Sequence, residues 1–439
     1  MQPSHEALDR PGGFARRGLL APLRHRDFRV LWAGMAVSLL GDGIFFVAIA
    51  WQSYVLWNAP AALSIVGIGM TVPTVLFLLL GGVVSDRCDR RLVMLWADAV
   101  RALSVAALAV LALTGQLVFW ELVALVATYG VGTAFFTPAF EAIVPELLPR
   151  SDLPAANSLD QFVRPIALRL AGPLLGGALV AIGPGVAFGV DAASFVASFA
   201  AVLAVRARPV ERRASGSALA EMREGFRFIR SRTWLWGTLA SAAVAYLVFL
   251  GPTEVLLPYV VKNSLHASAS TLGLVLAAGG VGSVGAAIWM GSRGHPRRDV
   301  SWMYAAWTLA TLAVAGYGLA TQAWQLMLAC LVFNALETAG TIVWATIKQR
   351  HVPGAMLGRV SSLDWLISIA LLPLSFALTS PVAAAVGARA TLVGAAVIGG
   401  AVTLGALFLP RMREIEGGHE AGEYFAVGAA GVEPATPRA

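Results

Sequence analysis

Cysteine, lysine and charge are all scarce in this chain. Of 439 residues, two are Cys, two are Lys, and 13% are charged. A soluble globular chain carries about 25% charged and 45–50% apolar residues, whereas here 58% are apolar. That balance excludes a soluble enzyme and a disordered regulator. Cys88 lies in a polar stretch and Cys330 in an apolar one, which excludes a disulfide scaffold. Lys262 and Lys348 follow Val and Ile, so neither belongs to a Gly-Lys-Ser/Thr phosphate loop, and no ATP site is expected. The histidines, at 5, 25, 266, 295, 351 and 419, all fall outside the apolar runs, so no intramembrane metal centre is expected. Gly280-Val-Gly282-Ser-Val-Gly285 has the spacing of a dinucleotide loop. It sits inside an apolar run with no strand before it, and reads as a helix-packing stretch.

What is abundant is apolar length. Runs at 28–57, 62–85, 92–114, 118–140, 160–183, 186–205, 234–258, 270–292, 300–320, 324–347, 361–386 and 388–409 each suit a membrane crossing, which needs about 20 residues. Helix is the expected form, because backbone amides in lipid must be satisfied within their own segment. The expected fold is therefore all-α and integral to the membrane, with twelve spanning helices. The first 28 residues are polar and precede a run too long for a signal peptide, so an uncleaved first span is expected.

Thirty of the 32 basic residues are Arg, and 27 of the 32 fall at the N-terminus, in the loops after the even-numbered spans or in the tail. Only Lys262 and Arg389 lie in the opposite loops, while Arg101, Arg164 and Arg169 lie within spans. The bias predicts that both termini are cytoplasmic. It also reads as topology and not as a nucleic-acid footprint.

The chain repeats itself. Ser64, Gly67, Arg87 and Arg91 recur as Ser270, Gly273, Arg293 and Arg297, and Ser158-Leu159-Asp160 recurs as Ser362-Leu363-Asp364. Two six-helix halves in the same orientation are expected, at 28–205 and 234–409. Residues 1–27 form a cytoplasmic N-terminal segment. Residues 206–233 form a linker whose Leu219, Met222, Phe226 and Ile229 share one face of an interfacial helix. A disordered tail is expected over 410–439. Asp160 and Asp364, at equivalent span starts, are expected to cap helix N-termini.

Two motifs carry a mechanism. Gly82-Val-Val-Ser-Asp86-Arg87-Cys-Asp89-Arg90-Arg91 lies between spans 2 and 3. It resembles the cytoplasmic signature of the major facilitator superfamily, Gly-x-x-x-Asp-Arg-x-Gly-Arg-Arg, with Asp89 in place of the Gly. Gly82 is expected to allow close helix packing, Asp86 to pair with an Arg or a helix N-terminus, and Arg87, Arg90 and Arg91 to hold the loop at the cytoplasmic face. The resemblance implies a charge latch between the halves. Gly172-Pro173-Leu-Leu-Gly176-Gly177 in span 5 resembles the end of the exporter motif Gly-Pro-x-x-Gly-Gly, which implies a bend controlling the seal between halves.

A wider set of residues, Phe28-Arg-Val-Leu-Trp32, Leu40-Gly41-Asp42, Phe136-Thr-Pro138-Ala, Ala156-Asn157, Asp191-Ala-Ala-Ser-Phe195 and Gly358-Arg359-Val360, resembles the bacterial exporter branch called the transmembrane secretion effector family. The resemblance implies secondary active export of a small amphipathic molecule, such as a drug, siderophore or secondary metabolite, across the bacterial inner membrane. A proton gradient would supply the energy, with no bound cofactor or metal and no nucleic acid. The partners would be the substrate, protons and the bilayer, and the chain is expected to act as a monomer. An importer, a lipid flippase or a transport-dead sensor are the alternatives on the same fold. The Arg found in span 4 of drug:proton antiporters is missing from Ala127-Thr128-Tyr129-Gly130.

A charge at mid-membrane costs at least about 2.5–3.5 kcal/mol, so each one needs a reason. Asp42 and Glu337 are candidate proton sites. Arg101, Arg169 and Glu254 are further coupling candidates, with Arg169 able to neutralise Asp42 or Glu337 or to bind an anionic substrate. Asp98 and Arg101, three residues apart, are expected to pair. Trp51, Tyr54, Phe135, Phe136, Tyr246, Asn334 and Trp344 are candidates for the cavity lining.

Overall fold

Each apolar run closes its own backbone hydrogen bonds, and the result is a bundle of helices with no strand among the described residues. The computed structural model describes residues 20–149, 152–206, 218–293 and 296–416. The first set of helices is α1 (Arg26–Leu56), α2 (Pro60–Arg87), α3 (Arg90–Leu113), α4 (Phe119–Leu147), α5 (Leu153–Pro165), α6 (Gly172–Ile182) and α7 (Pro184–Ala204). A π-helical turn, Ile166–Ala171, joins α5 to α6. The short α8 (Ala218–Arg230) follows. The second set is α9 (Thr233–Tyr259), α10 (Ala269–Arg293), α11 (Asp299–Ala313), α12 (Ala315–Leu319), α13 (Ala323–His351), α14 (Gly354–Ala370), α15 (Leu372–Val386) and α16 (Ala388–Ala406).

Eleven helical stretches among the described residues are long and apolar enough to cross a membrane. The expected span at 300–320 is instead two consecutive helices, α11 and α12, that meet at Val314. Two starts also differ from the sequence reading. α5 begins at Leu153 and α14 at Gly354, so Asp160 and Asp364 lie inside helices and cap neither. Hydropathy misses these starts because Asn157, Ser158 and Asp160 in α5, and Arg359, Ser361, Ser362 and Asp364 in α14, interrupt the apolar run, yet the chain stays helical through them. Asp160 accepts from Arg164 Nε at 2.7 Å, and Asp364 pairs with Lys348.

The tail also departs from expectation over its first residues. Met412 is 1% exposed, and Glu416 accepts from the Ser301 backbone N–H at 2.8 Å. The remainder, 417–439, lies outside the described residues, as do 1–19 and 207–217. In α8, Ile229 is buried and Phe226 exposed, and the helix packs on α9 and α14; the side chains of Leu219 and Met222 lie outside the described residues.

The apolar core is divided in an informative way. One large cluster joins both sets, with Ile44, Tyr54 and Phe188 from the first and Phe249, Leu256 and Phe376 from the second. A second cluster belongs to the first set alone (Phe28, Met35, Met94, Phe140, Val202), and a third to the second set and its flanks (Trp234, Met303, Ile347, Met412). The shared cluster includes the end where α1 runs out and α9 ends. The separate clusters lie at the end that carries the Arg-rich connections. We call these the far end and the basic end.

Candidate functional site

Beside the first set's own core and facing the second set lies a cavity of about 300 Å³. α1 lines it with Ser38 and Asp42, α2 with Thr71 and Thr74, α3 with Arg101, and α4 with Tyr129, Thr133, Phe136 and Thr137. Trp365 and Leu372 reach in from the second set. Asp42 is only 9% exposed and accepts a hydrogen bond from the Tyr129 hydroxyl at 2.7 Å. Behind it, Arg101 pairs with Asp98, and the Ser198 hydroxyl donates to Asp98 Oδ2 at 2.8 Å. The Arg101 guanidinium lies 4.1 Å from the centre of the Phe136 ring and 4.6 Å from that of Phe195. Ring faces attract a desolvated cation, which helps hold this charge in the bundle.

Asp191 on α7 is fully buried and lies against Gly41, where α1 and α7 touch. Its Oδ1 accepts from Ser194 at 3.2 Å, and its Oδ2 has no partner among the described residues. Three buried carboxylates, Asp42, Asp98 and Asp191, thus lie within the field of Arg101, with Arg164 acting on Asp42 as well. A buried carboxylate without a counter-charge is costly, so this group has room for a proton or a cation at the one member that lines the cavity, Asp42. Among the described residues no cluster of three or more His, Cys, Asp or Glu is shaped to hold a metal ion.

A second polar group bridges the two sets. Pro173 has no N–H to offer the Arg169 carbonyl four residues earlier, and the chain widens into the π-turn at this point. Gly280 on α10 lets that carbonyl and Leu170 approach: a Cβ there would lie 2.7 Å from Leu170 Cα. The Arg169 side chain crosses to the second set, with Nη1 at 3.3 Å from Asn334 Oδ1, 3.4 Å from Glu337 Oε2 and 3.5 Å from Ser283 Oγ. Thr341 donates to the other Glu337 oxygen at 3.1 Å. Arg169 is 47% exposed and Glu337 21%, so this pair is reachable by water. Glu254 is exposed on α9 with no described hydrogen bond, and lies within the field of Arg169. Glu337 also borders a small pocket of about 40 Å³ inside the second set, with Tyr246, Tyr304, Trp307 and Phe333.

The far end is sealed across the sets. The Tyr54 hydroxyl donates to the Val255 carbonyl at 2.6 Å, Lys262 donates to the Tyr54 carbonyl, and Asn58 donates to Asn263 at 2.8 Å. The glycines of the span 5 motif sit at crossings. A Cβ on Gly172 would lie 2.6 Å from Gly43 Cα, one on Gly176 3.0 Å from Ile44 Cα, and one on Gly177 2.9 Å from Gly273 Cα. Gly67, the repeat partner of Gly273, abuts the Phe376 ring of α15. The two repeat-related glycines therefore both lie where the sets meet, α2 on α15 and α10 on α6.

At the basic end the signature turn works inside the first set. Asp89 accepts from the Arg91 N–H at 2.9 Å and N-caps α3, with φ −62°, so no Gly is required there. Arg90 pairs with Glu146 and donates to the Ala142 carbonyl at 3.1 Å, while Arg91 donates to the Val202 carbonyl at 3.1 Å. Arg87 is exposed, and the Asp86 side chain lies outside the described residues. The space beside Gly82 is open; the close approach of α2 to α4 occurs at Gly81, whose Cβ would lie 3.2 Å from Phe135 Cα. None of the bonds described at this turn reaches the second set.

These motifs find their match in known proteins. Residues 17–423 match the transmembrane secretion effector family of the major facilitator superfamily. The chain belongs to that family. Among curated relatives, the enterobactin exporter EntS of Citrobacter koseri is 28% identical over 352 residues, covering 77% of this chain and 81% of the relative. The multidrug efflux pump Tap of Mycolicibacterium fortuitum is 29% identical over 411 residues, covering 88% and 96%. A bacterial homologue of the human lysosomal transporter Spinster, solved inward-facing and unoccupied, superposes with TM-score 0.65 at 15% identity, covering 90% of this chain and 98% of that one. A POT family transporter reaches 0.66 at 12% identity, covering 88% and 96%. The solved structures speak for the fold, and they share the all-helical major facilitator architecture found here.

For a transmembrane secretion effector, the remaining candidates fall in distinct places. Phe136 lines the cavity and Tyr246 the small pocket. Trp51 lies half-buried at the far end with Lys262 5.7 Å from its ring centre, and Tyr54 is fully buried in the seal. Phe135 packs on Trp96, away from the cavity, and the Trp344 indole donates to Asp364 at 3.0 Å. Sequence reasoning passed over Tyr129, which stands in the stretch where the antiporter Arg is missing. A lone hydroxyl-bearing ring in an apolar span was the available signal.

Proposed function

We propose that this chain is a secondary active exporter that carries a small amphipathic molecule out of the bacterial cell by alternating access, in exchange for protons. The observation that carries the reading is a cavity bearing a buried carboxylate, Asp42, placed between helix sets that share a core only toward the far end. The Arg-rich basic end is the cytoplasmic one, with both termini there, by the positive-inside rule. On that reading the cavity belongs to an inward-facing state sealed on the outside by Tyr54, Lys262 and the Gly177–Gly273 crossing. The relatives named as enterobactin exporter and multidrug efflux pump support the outward direction and the inner membrane.

Asp42 and Glu337 are the coupling residues in this reading. Asp42 gains or loses a proton against the Tyr129 hydroxyl and the field of Arg101. Glu337 exchanges its contact with Arg169 for a proton or substrate as the sets move, which the 3.4 Å separation allows at little cost.

The test is transport into inside-out vesicles of a panel holding fluorescent cations, macrolides and catecholate siderophores, with and without a pH gradient. Accumulation abolished by collapsing the gradient is expected, as is a loss of about tenfold or more in Asp42→Asn or Glu337→Gln. Full, gradient-independent transport by both variants would remove proton coupling from the reading. Movement in the opposite direction would make the protein an importer.

A further inference from the structure

The cavity wall formed by α2 and α4 has already used its hydroxyl protons. Thr71 donates to the Gly67 carbonyl at 2.7 Å and Thr74 to the Met70 carbonyl at 2.7 Å, with Gly130 at 3.2 Å. Thr133 donates to the Tyr129 carbonyl at 3.1 Å, and Thr137 to the Thr133 carbonyl at 3.2 Å. The Tyr129 proton goes to Asp42. A threonine bonded back to its own helix keeps two lone pairs and loses its donor. This wall therefore offers four hydroxyl acceptors and a carboxylate. The cationic groups nearby are also engaged, Arg101 by Asp98 and Arg164 by Asp160. The donors left to a ligand among the described groups are Ser38, the Trp365 indole N–H, the terminal N–H groups of Arg164 and the Arg101 N–H groups that Asp98 does not take, and none of these lies on α2 or α4. The rest of the lining is apolar or aromatic, with Phe46, Met70, Phe136 and Phe140.

We infer that the transported molecule is donor-rich, an apolar or aromatic frame that presents several N–H or O–H groups to the α2–α4 wall. In the absence of a ligand this role would fall to water. A ligand that displaces that water without donating leaves the lone pairs unmatched, and one that donates replaces the lost bonds. Selection is then by donor count at equal size and charge. The inference rests on the reading of this cavity as the transport site, but it concerns binding and not direction or coupling.

The experiment uses two dyes of the same cationic xanthene methyl ester. Rhodamine 123 carries N–H donors, and tetramethylrhodamine methyl ester has each of them replaced by methyl. Binding of each to the purified full chain in nanodiscs is followed by fluorescence anisotropy. Rhodamine 123 is expected to bind about tenfold tighter, although the methylated dye is the more apolar. In Thr133→Val/Thr137→Val, which keeps side-chain shape and removes two acceptors, the two affinities are expected to fall within about threefold of each other. Thr133→Ser/Thr137→Ser keeps the acceptors and is expected to retain the discrimination. Equal binding in the wild-type chain, tighter binding of the methylated dye, or binding of neither overturns the inference. So does discrimination that survives the valine pair. Donor-selective binding combined with dye movement into the cell would leave this inference standing and remove the export reading.

Discussion

At the far end Gly177 faces Gly273 and Gly67 faces an aromatic ring, whereas toward the basic end the Cβ positions of Gly82, Gly285 and Gly358 meet nothing within 4 Å among the described residues. Between the sets, glycine marks tight crossings at the far end, whereas tight glycines at the basic end, such as Gly34 and Gly81, pack only within their own set. The charges follow the same division. Far-end polar bonds such as Tyr54 to Val255 and Asn58 to Asn263 join the two sets, while Arg90, Arg91 and Lys348 at the basic end bond within their own set. Lipid supplies no apolar driving force between helices, so close backbone approach and polar bonds decide where they adhere. The sets adhere where glycines and cross-set bonds coincide, and separate where both are missing.

The largest effect is expected from removing the cation on which the first set depends. Arg101→Leu leaves Asp98 and its neighbours without a counter-charge, and should destabilise the chain by about 3–5 kcal/mol, read as a large loss of thermal stability in detergent. Next comes a pair of identical substitutions at the two ends. Gly177→Ala should cost about 1–3 kcal/mol and weaken the far-end seal, with spin-label distances across that end lengthening. Gly82→Ala should leave the stability of this conformation within about 0.5 kcal/mol of wild type. Equal effects would erase the contrast between the ends.

A smaller change sharpens it. Tyr54→Phe removes one bond across the far end and should cost about 0.5–1.5 kcal/mol, with increased solvent access to that end in hydrogen exchange. Asp89→Ala removes the cap of α3 at the basic end and should cost about 1 kcal/mol without changing distances across the far end.

Much of this was legible in the residues, for reasons that also explain the rest. Apolar length located most spans, and the repeat offset marked Gly67 and Gly273 as equivalent positions, but that both lie where the sets meet came only from the packing. The adjacency of Asp98 and Arg101 announced their ion pair, since both lie on one helix face. Hydropathy could not place the start of α5 or α14, because polar residues such as Asn157, Asp160, Arg359 and Asp364 interrupt the apolar run without ending the helix. Nor could it separate Tyr54, which seals, from Phe136, which lines the cavity, since both are aromatic residues in spans. Partners such as Arg169 and Glu337, or Tyr129 and Asp42, are distant in sequence, and local pattern carries no record of them.

The π-turn at 166–171 has a consequence for chain length. A one-residue deletion inside an ordinary α-helix turns every later side chain by about 100°, which would swing a packed face into lipid. A π-turn holds one residue more than the α-helix it interrupts. A deletion within this stretch would let α5 and α6 run together as one helix with the faces of both retained. The fifth span is therefore a place where this fold can lose a residue and keep its register, and shorter chains of the same design should show a gap there.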